Sequence, residues 1–254
     1  MIYQEYQPIP KLKDIIRCYW TLNGDAGSGV EYTVIPDYCM DIIFHVTDSN
    51  YKSYIAGAGD QYYKLLHKGN VVMFGVRFYP GAFFKLFGIP ASKFYNRLED
   101  LDDIGLNIKT SNLFSNGYNN IPLCIQKLNN LFLKQMQNIT QDHISDELIH
   151  NAKHLNFDHS FLDYYSSKTF NRRLSERCGI GSQCFKNIVR FHKSISLMLT
   201  GVYSYSDVAY TSGYYDQAHF IKSFKDHSGF TPTAFCDDIK NNSVQFLQYP
   251  LGIF

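Results

Sequence analysis

The sequence has little of several features that would point directly to a class of protein. It has one tryptophan and eight prolines in 254 residues. No apolar run approaches the roughly 20 residues that a membrane-spanning helix needs. The N-terminus also lacks the basic patch and apolar stretch of a secretory signal peptide. We therefore expect a cytoplasmic protein that is neither exported nor inserted in a membrane.

Metal and catalytic motifs are missing as well. The six cysteines form no C-x-x-C pair and match no zinc spacing, which favours scattered reduced thiols over a disulfide framework. His45 and His67 have no second ligand nearby in sequence. No nucleophile elbow, H-E-x-x-H motif or phosphate-binding loop is present. We predict no metal, no cofactor and no enzymatic activity, although a catalytic triad scattered along the chain would leave no such motif.

The chain has almost no net charge, +1, but its basic residues are unevenly distributed. Between Tyr164 and Thr200 there are seven basic residues against the single acid Glu176, a local charge of +6. Clustered lysine and arginine are what contacts to nucleic-acid phosphates require. A solvated helix face would have the same composition, so charge alone leaves both interpretations open. The basic residues are Lys168, Arg172, Arg173, Arg177, Lys186, Arg190 and Lys193.

The N-terminal part of the chain has the composition of a β-rich domain. Three runs rich in valine, isoleucine, tyrosine and phenylalanine are separated by glycine, proline, asparagine and aspartate. A short helix, Ala82–Phe87, is expected after the last run and is closed by Gly88. The predicted strands are Tyr32–Ile35, Asp41–Val46 and Val71–Tyr79.

Helical periodicity begins near the middle of the chain. Apolar residues at steps of three and four predict an amphipathic helix over Ile121–Ile139, with Pro122 tolerated in its first turn. Its apolar face could pack on its own domain, on a neighbouring domain or on a second copy of the chain, and the first is favoured. Further helices are predicted at Asp142–His154 and Gln183–Thr200. We divide the chain into domains at 1–140 and 141–254.

The stretch from Ser204 onwards has the parts of a helix-turn-helix. Ser204 lies three residues before Asp207, the spacing of a capping box that starts a helix. Gly213 can adopt the positive φ of a tight turn, and Asp216 is a good N-cap for a second helix. Helix, glycine-containing turn and second helix together predict this motif.

The same stretch resembles a known family. The run Ala209 … Gly213-Tyr214-Tyr215-Asp216-Gln217-Ala218-His219-Phe220 … Phe224-Lys225 … Gly229-Phe230-Thr231-Pro232 is similar to the sequence signature of AraC/XylS transcription regulators. The resemblance implies that this is the second of two helix-turn-helix units joined by a long helix. The expected fold class is α+β, with a mostly β N-terminal domain and an all-α C-terminal domain.

The second unit offers a set of candidate DNA-contacting residues. Phe220 and Phe224 lie four residues apart and should anchor the recognition helix to its core. Glutamine can pair with adenine, alanine can contact the thymine methyl group, and lysine can reach guanine or phosphate. His219 is expected either to touch DNA or to cap the turn. The candidates on this helix are Gln217, Ala218, His219, Lys222 and Lys225.

A first recognition helix is indicated further upstream. The run Ser166–Leu174 resembles the corresponding helix of the family, which by analogy places Lys168, Asn171 and Arg172 toward the DNA groove. Arg173 is expected to face phosphate or solvent. The preceding stretch Asn156–Tyr165 lacks the inward alanine and turn glycine of the family and looks shortened. We therefore expect a degenerate scaffold helix in this unit.

The N-terminal half resembles, more weakly, a poorly characterised β-rich domain that precedes such DNA-binding regions. The residues are Pro36-Asp37 … Asp41-Ile42-Ile43-Phe44 and Gly75-Val76-Arg77-Phe78-Tyr79-Pro80-Gly81-Ala82. Arg77 is expected to pair with Asp37 or Asp41, as a structural ion pair in preference to a clamp for an effector.

The sequence thus predicts a transcription regulator that binds double-stranded DNA and is controlled through its N-terminal domain. RNA polymerase, an unknown small-molecule effector and a second copy of the chain remain open as further partners. The alternative is a small-molecule-binding or interaction protein whose first helix-turn-helix unit has decayed.

Overall fold

The computed structural model describes residues 1–46, 51–106, 108, 113–114, 120–139, 141–154, 168–241 and 245–246. A β-rich N-terminal part is followed by a helical C-terminal part, as the sequence predicts. Among these residues, no helix is both long and apolar enough to cross a membrane. All six cysteines are free thiols.

Two sheets form the N-terminal part. The larger is antiparallel and has six strands in the order β1-β2-β7-β4-β5-β8, and the smaller has the order β6-β3-β9. The three predicted strands are confirmed as β3, β4 and β7. The strands are β1 Ile2–Tyr6, β2 Ile16–Asp25, β3 Val30–Val34, β4 Met40–Val46, β5 Tyr51–Ala56, β6 Tyr63–His67, β7 Asn70–Phe78, β8 Leu98–Asp100 and β9 Gln245–Phe246.

Successive side chains along the strands of the larger sheet point to opposite faces, and both faces are buried. On β7, Phe74 and Phe78 belong to the main core under the helices, whereas Met73 belongs to a second cluster toward the smaller sheet. Tyr19 and Trp20 on β2 divide in the same way. This period of two is expected when a strand is covered on both sides.

The helices follow the predicted positions closely. The short helix α1 is closed by Gly88 at φ 67°, as expected from the sequence. The predicted helices over Ile121–Ile139, Asp142–His154 and Gln183–Thr200 are confirmed as α2, α3 and α5. The helices are α1 Ala82–Phe87, α2 Ile121–Met136, α3 His143–His154, α4 Lys168–Cys178, α5 Ser182–Leu199, α6 Tyr205–Ser212, α7 Gln217–Ser228 and α8 Pro232–Asn241, with a 3-10 turn at Ala91–Phe94.

The amphipathic helix α2 covers its own domain. Leu128 and Phe132 are fully buried in the main core, where the Phe132 ring meets Phe78 edge-on. The hydroxyl of Tyr19 donates to the side-chain oxygen of Asn129 at 2.8 Å across this interface. Of the three partners that the sequence left open for this helix, its own domain is the one observed.

Candidate nucleic-acid interface

The scaffold helix of the second helix-turn-helix unit, α6, begins at the predicted capping box. The backbone N–H of Asp207 donates to Ser204 Oγ at 3.2 Å, and the N–H of Ser204 donates to Asp207 Oδ2 at 3.3 Å. The helix ends at Gly213, whose φ of 85° is the left-handed conformation that glycine adopts without strain. Both ends of α6 are therefore fixed by local sequence.

The recognition helix of this unit, α7, is capped and anchored as predicted. Asp216 accepts the backbone N–H of His219 at 2.7 Å. Phe220 and Phe224 are fully buried and pack against each other with ring centroids 5.7 Å apart. Phe224 also meets Phe191 of α5 at 5.1 Å. The buried side of α7 is thus held by aromatic packing on α5.

The opposite side of α7 is open to solvent. All five candidates on this helix, Gln217, Ala218, His219, Lys222 and Lys225, are exposed. The exposed imidazole of His219 also accepts the backbone N–H of Tyr215 through Nδ1 at 3.5 Å, so it caps the turn. A face carrying an amide, a methyl group and two ammonium groups can meet both base edges and phosphates.

The first recognition helix, α4, places its three candidates differently. Lys168 and Arg172 are exposed, and Arg172 lies 3.4 Å from Glu176 one turn further on. Asn171 is half-buried, and its side-chain oxygen accepts the backbone N–H of Ser182 at 2.7 Å. That hydrogen bond joins α4 to the start of α5 and engages the oxygen that would otherwise be available to a base. The shortened stretch Asn156–Tyr165 lies outside the described residues.

Some residues of the basic run in the sequence are exposed, and others contact neighbouring parts of the fold. Arg177 is 15% exposed and contacts Asp142 at 3.1 Å, while its guanidinium lies 4.8 Å from the centre of the Phe84 ring. Arg177 therefore serves the junction between α4 and the preceding structure. Lys168, Arg172, Arg173 and Lys193 are the members of the run that are exposed.

Arg77 forms the predicted ion pair, and Asp41 is its partner. Nε lies 3.0 Å from Oδ1 and Nη2 lies 2.8 Å from Oδ2, a bidentate geometry. Burial, the largest single influence, lowers the pKa of Arg77, but the Asp41 carboxylate together with Tyr3 and Asp37 raises that pKa above its ordinary value, so the guanidinium stays charged. The pair is buried in the N-terminal part, remote in sequence from both recognition helices.

The first unit shares its core with the N-terminal part. Leu174 and Cys178 of α4 and Phe185 of α5 form one buried cluster with Tyr38, Cys39 and Ala58. The Tyr38 ring stacks on Phe185 at 5.4 Å. Helix α4 also packs on α1 and on the 3-10 turn.

The second unit contacts the N-terminal part through a smaller set of residues. Ile35 is buried in the aromatic core of the second unit. The ring Nε2 of His192 lies 2.9 Å from the carbonyl oxygen of Pro36. Burial lowers the pKa of His192 to about 4, so the ring is neutral and Nε2–H donates to that carbonyl. At Gly229, which ends α7, a Cβ would lie 2.7 Å from the Tyr62 ring.

These contacts between the two parts could not be found by sequence reasoning. Tyr62, Pro36 and His192 belong to no local motif, and the hydrogen bond from Ser182 to Asn171 joins residues that the sequence places in different helices. The one related signal was Gly229, which belongs to the run that resembles the family signature. Its small size serves the approach of Tyr62 as well.

Comparisons with known proteins agree with this architecture. Residues 164–237 match a family described as helix-turn-helix domain, and residues 4–100 match a domain of unknown function, DUF6597. Over 108 residues the chain is 29% identical to the HTH-type transcriptional activator RhaS of Escherichia coli, a match covering 42% of this chain. The match spans about a third of that relative's length, 35%.

Solved structures of ToxT from Vibrio cholerae are also similar to the chain. One is 15% identical with a TM-score of 0.41 and covers 86% of this chain and 98% of its own. A second, bound to an unsaturated fatty acid, has a TM-score of 0.40 at 15% identity over 86% of this chain and 94% of its own. The capped α6–turn–α7 unit, the long helix α5 and the match over residues 164–237 agree that the C-terminal part of the chain carries a helix-turn-helix domain, behind an N-terminal part that matches DUF6597.

Proposed function

We propose that this chain is a sequence-specific, DNA-binding transcription regulator controlled through its N-terminal part. One observation carries the proposal. Helix α7 has one side fixed by Phe220 and Phe224 and the opposite side lined by exposed groups suited to DNA.

Within this proposal the two units contribute unequally. Gln217 and Ala218 stand at the N-terminal end of α7, where a recognition helix contacts bases, and Lys222 and Lys225 follow on the exposed side. His219 has the turn as a partner and touches DNA only as a secondary role. The second unit therefore makes most of the base contacts that determine the sequence specificity.

The first unit supplies fewer free groups. Lys168 and Arg172 are exposed and available to phosphate or guanine. The side-chain oxygen of Asn171 accepts from Ser182, which fixes its orientation and leaves less of its acceptor capacity for a base. We expect this unit to position the domain on DNA more than to specify the sequence.

The remaining roles follow from the same proposal. Residues 1–140 form the regulatory domain and residues 141–254 the DNA-binding domain, in a cytoplasmic protein without enzymatic activity. Double-stranded DNA is the main partner, and a small-molecule effector, RNA polymerase and a second copy of the chain are the partners to test next. None of them is needed for the DNA-binding test itself.

Selection of binding sites from random DNA by the purified chain tests the proposal. A recurrent motif is expected, and affinity for it should fall steeply between low and moderate salt, because bound cations are released from phosphates. Affinity that is flat with salt, or selection that yields no motif, would refute the function.

Replacing Gln217 tests directly whether this side chain contacts a base. Gln217→Ala should cost about 1–3 kcal/mol against the preferred base at one position of the motif and little elsewhere. Gln183→Ala is a matched control, since Gln183 is also an exposed glutamine at the start of a helix, α5. An unchanged motif for folded Gln217→Ala would reject base readout by this residue.

A further inference from the structure

A cavity of about 360 Å³ lies between the two sheets of the N-terminal part. Most of its wall is aromatic or aliphatic, and the residues come from strands of both sheets. Protein sites for small molecules have this size and this mainly apolar character, with a few polar groups that fix orientation. The apolar wall includes Tyr3, Trp20, Val34, Ile43, Leu65 and Met73.

One polar group in the wall is placed to hold a ligand. Arg77 lines the cavity although it is 3% exposed, and its Nε and Nη2 are engaged by Asp41. In the part of the chain that the structure describes, Nη1 donates to no acceptor. A hydrogen bond from a charged donor is stronger than one between neutral groups. Nη1 therefore favours a ligand with an acceptor atom.

The charges around the cavity are already balanced. Asp37 and Asp41 are in the wall with Arg77 and Arg97. Two carboxylates thus face two guanidinium groups. A charged ligand would add an unpaired charge to a buried, mainly apolar site, which is unfavourable. The electrostatics therefore favour an uncharged ligand.

We propose that this cavity binds an uncharged, mostly apolar small molecule whose carbonyl or similar acceptor receives a hydrogen bond from Arg77 Nη1. Aromatic side chains around the cavity suit a flat ring system, since they offer large contact areas at low conformational cost.

The wall of the cavity is also the attachment site of the second helix-turn-helix unit. Ile35 lines the cavity and belongs to the core of that unit, and the carbonyl of Pro36, also in the wall, accepts from His192. Tyr62 lines the cavity and packs on Gly229 at the end of α7. Occupancy of the cavity therefore biases how α7 is held, a role that rests on the proposed DNA-binding function.

The single tryptophan of the chain makes binding directly measurable. Trp20 lies in the cavity wall, so a ligand inside is within energy-transfer distance of it. The probe is 6-propionyl-2-(dimethylamino)naphthalene, a neutral aromatic ketone whose emission shifts in an apolar site. The full chain should show saturable energy transfer from Trp20 to the probe. The corresponding naphthoate anion, and the naphthalene without its carbonyl, should bind at least about tenfold more weakly.

One pair of single variants and one double variant locate the site. Ala56→Phe fills the cavity and should abolish energy transfer, whereas Leu66→Phe on the exposed side of β6 should leave it unchanged. The double variant Asp41→Leu/Arg77→Met replaces the ion pair by apolar side chains of similar size, a change that proteins often tolerate. It should bind the ketone and the carbonyl-free naphthalene equally.

The outcomes separate this site from the DNA-binding proposal. Absence of energy transfer up to the solubility limit of the probe, or transfer that persists in folded Ala56→Phe, overturns the cavity site whatever the protein does with DNA. Preference for the naphthoate overturns the uncharged class. If the ketone binds, adding it should change affinity for the selected DNA motif, and Ala56→Phe should abolish that change. An unchanged DNA affinity at saturating ketone overturns the regulatory role alone.

Discussion

The second helix-turn-helix unit and the described part of the first differ in what they pack against. The second unit builds its core from its own aromatic side chains, to which the N-terminal part adds Ile35. The described part of the first unit shares its core with Tyr38, Cys39 and Ala58 of the N-terminal part. The same motif is thus a nearly self-contained module in one place and part of a larger core in the other.

The polar contacts at the two units also differ. Arg177 and Asp142 form a pair at the base of the first unit, and Lys85 pairs with Asp146 nearby. For the second unit, the polar contact described above is the hydrogen bond between His192 and Pro36. Among the described residues, the first unit is thus joined to the N-terminal part by a shared core and the pair of Lys85 with Asp146, whereas the second contacts it through Ile35, Pro36 and Tyr62.

Truncating a core side chain in either unit should have the largest effect on stability, and a different effect in each unit. Phe224→Ala opens a cavity in the second unit and should cost roughly 3–5 kcal/mol, and Leu174→Ala in the first should cost about 2–5 kcal/mol. Phe224→Ala should unfold the second unit alone, while Leu174→Ala should also loosen the N-terminal part. Hydrogen exchange followed by segment distinguishes the two. Tyr210→Ala, at an 87% exposed position, is the control, and identical exchange patterns for both core variants would contradict the division.

Acidification should weaken the attachment of the second unit. The pKa of His192 is about 4 in the folded chain, below its ordinary value of 6.5. As pH falls the unfolded state binds the proton first, so the contribution of His192 is complete above pH 6.5 and is lost between 6.5 and about 4. A shift of this size corresponds to at most about 3 kcal/mol, and partial contact of the ring with water reduces it.

Urea unfolding between pH 4.5 and 7.5 measures this effect. His192→Gln keeps a donor for the Pro36 carbonyl but cannot titrate, so its stability should depend less on pH. Burial also lowers the pKa of His45 and His67, and their contribution stays in both proteins. Parallel pH profiles for the two proteins would show that His192 has no part in the dependence.

The ion pairs of α4 sharpen the contrast between its partly buried side and its exposed side. Arg177 and Asp142 are 15% and 16% exposed, so removing one partner should cost about 1.5–3 kcal/mol. The exposed pair of Arg172 with Glu176 should contribute only ~0.2–1 kcal/mol. Double-mutant cycles on the free energy of unfolding give both values. Equal coupling energies would mean that the base of α4 is no better anchored than its exposed side.

The smallest expected effect concerns single phosphate contacts in the two units. Lys225→Ala should weaken binding to all DNA sequences alike and reduce the salt slope of log affinity by about 1. Lys168→Ala tests the first unit in the same titration. Equal reductions would show that both units engage the backbone of DNA, and a reduction for Lys225 alone would leave the first unit as an anchor.

Much of the fold could be predicted because its determinants are local. The capping box at Ser204, the left-handed Gly213 and the alternation along β4 and β7 each depend on neighbours in sequence. The exposed side of α7 could also be predicted, since Phe220 and Phe224 determine which side of the helix is buried.

What escaped prediction depends on contacts between distant residues. The hydrogen bond to the oxygen of Asn171 requires the start of α5 to lie beside α4, which no periodicity encodes. The cavity requires two sheets to face each other, and its ion pair could be narrowed only to Asp37 or Asp41. Packing between segments, not local preference, decided these features.

The two-residue strand β9 has a consequence for solubility. It pairs in parallel with Tyr32 and Thr33 on one side of β3, while β6 pairs with the other side. An uncovered strand edge is a template on which further chains can add by backbone hydrogen bonding. A chain cut after Asn241 would expose this edge, beside the buried Tyr32 and Val34, and should aggregate more readily than the full chain even if every helix still folds.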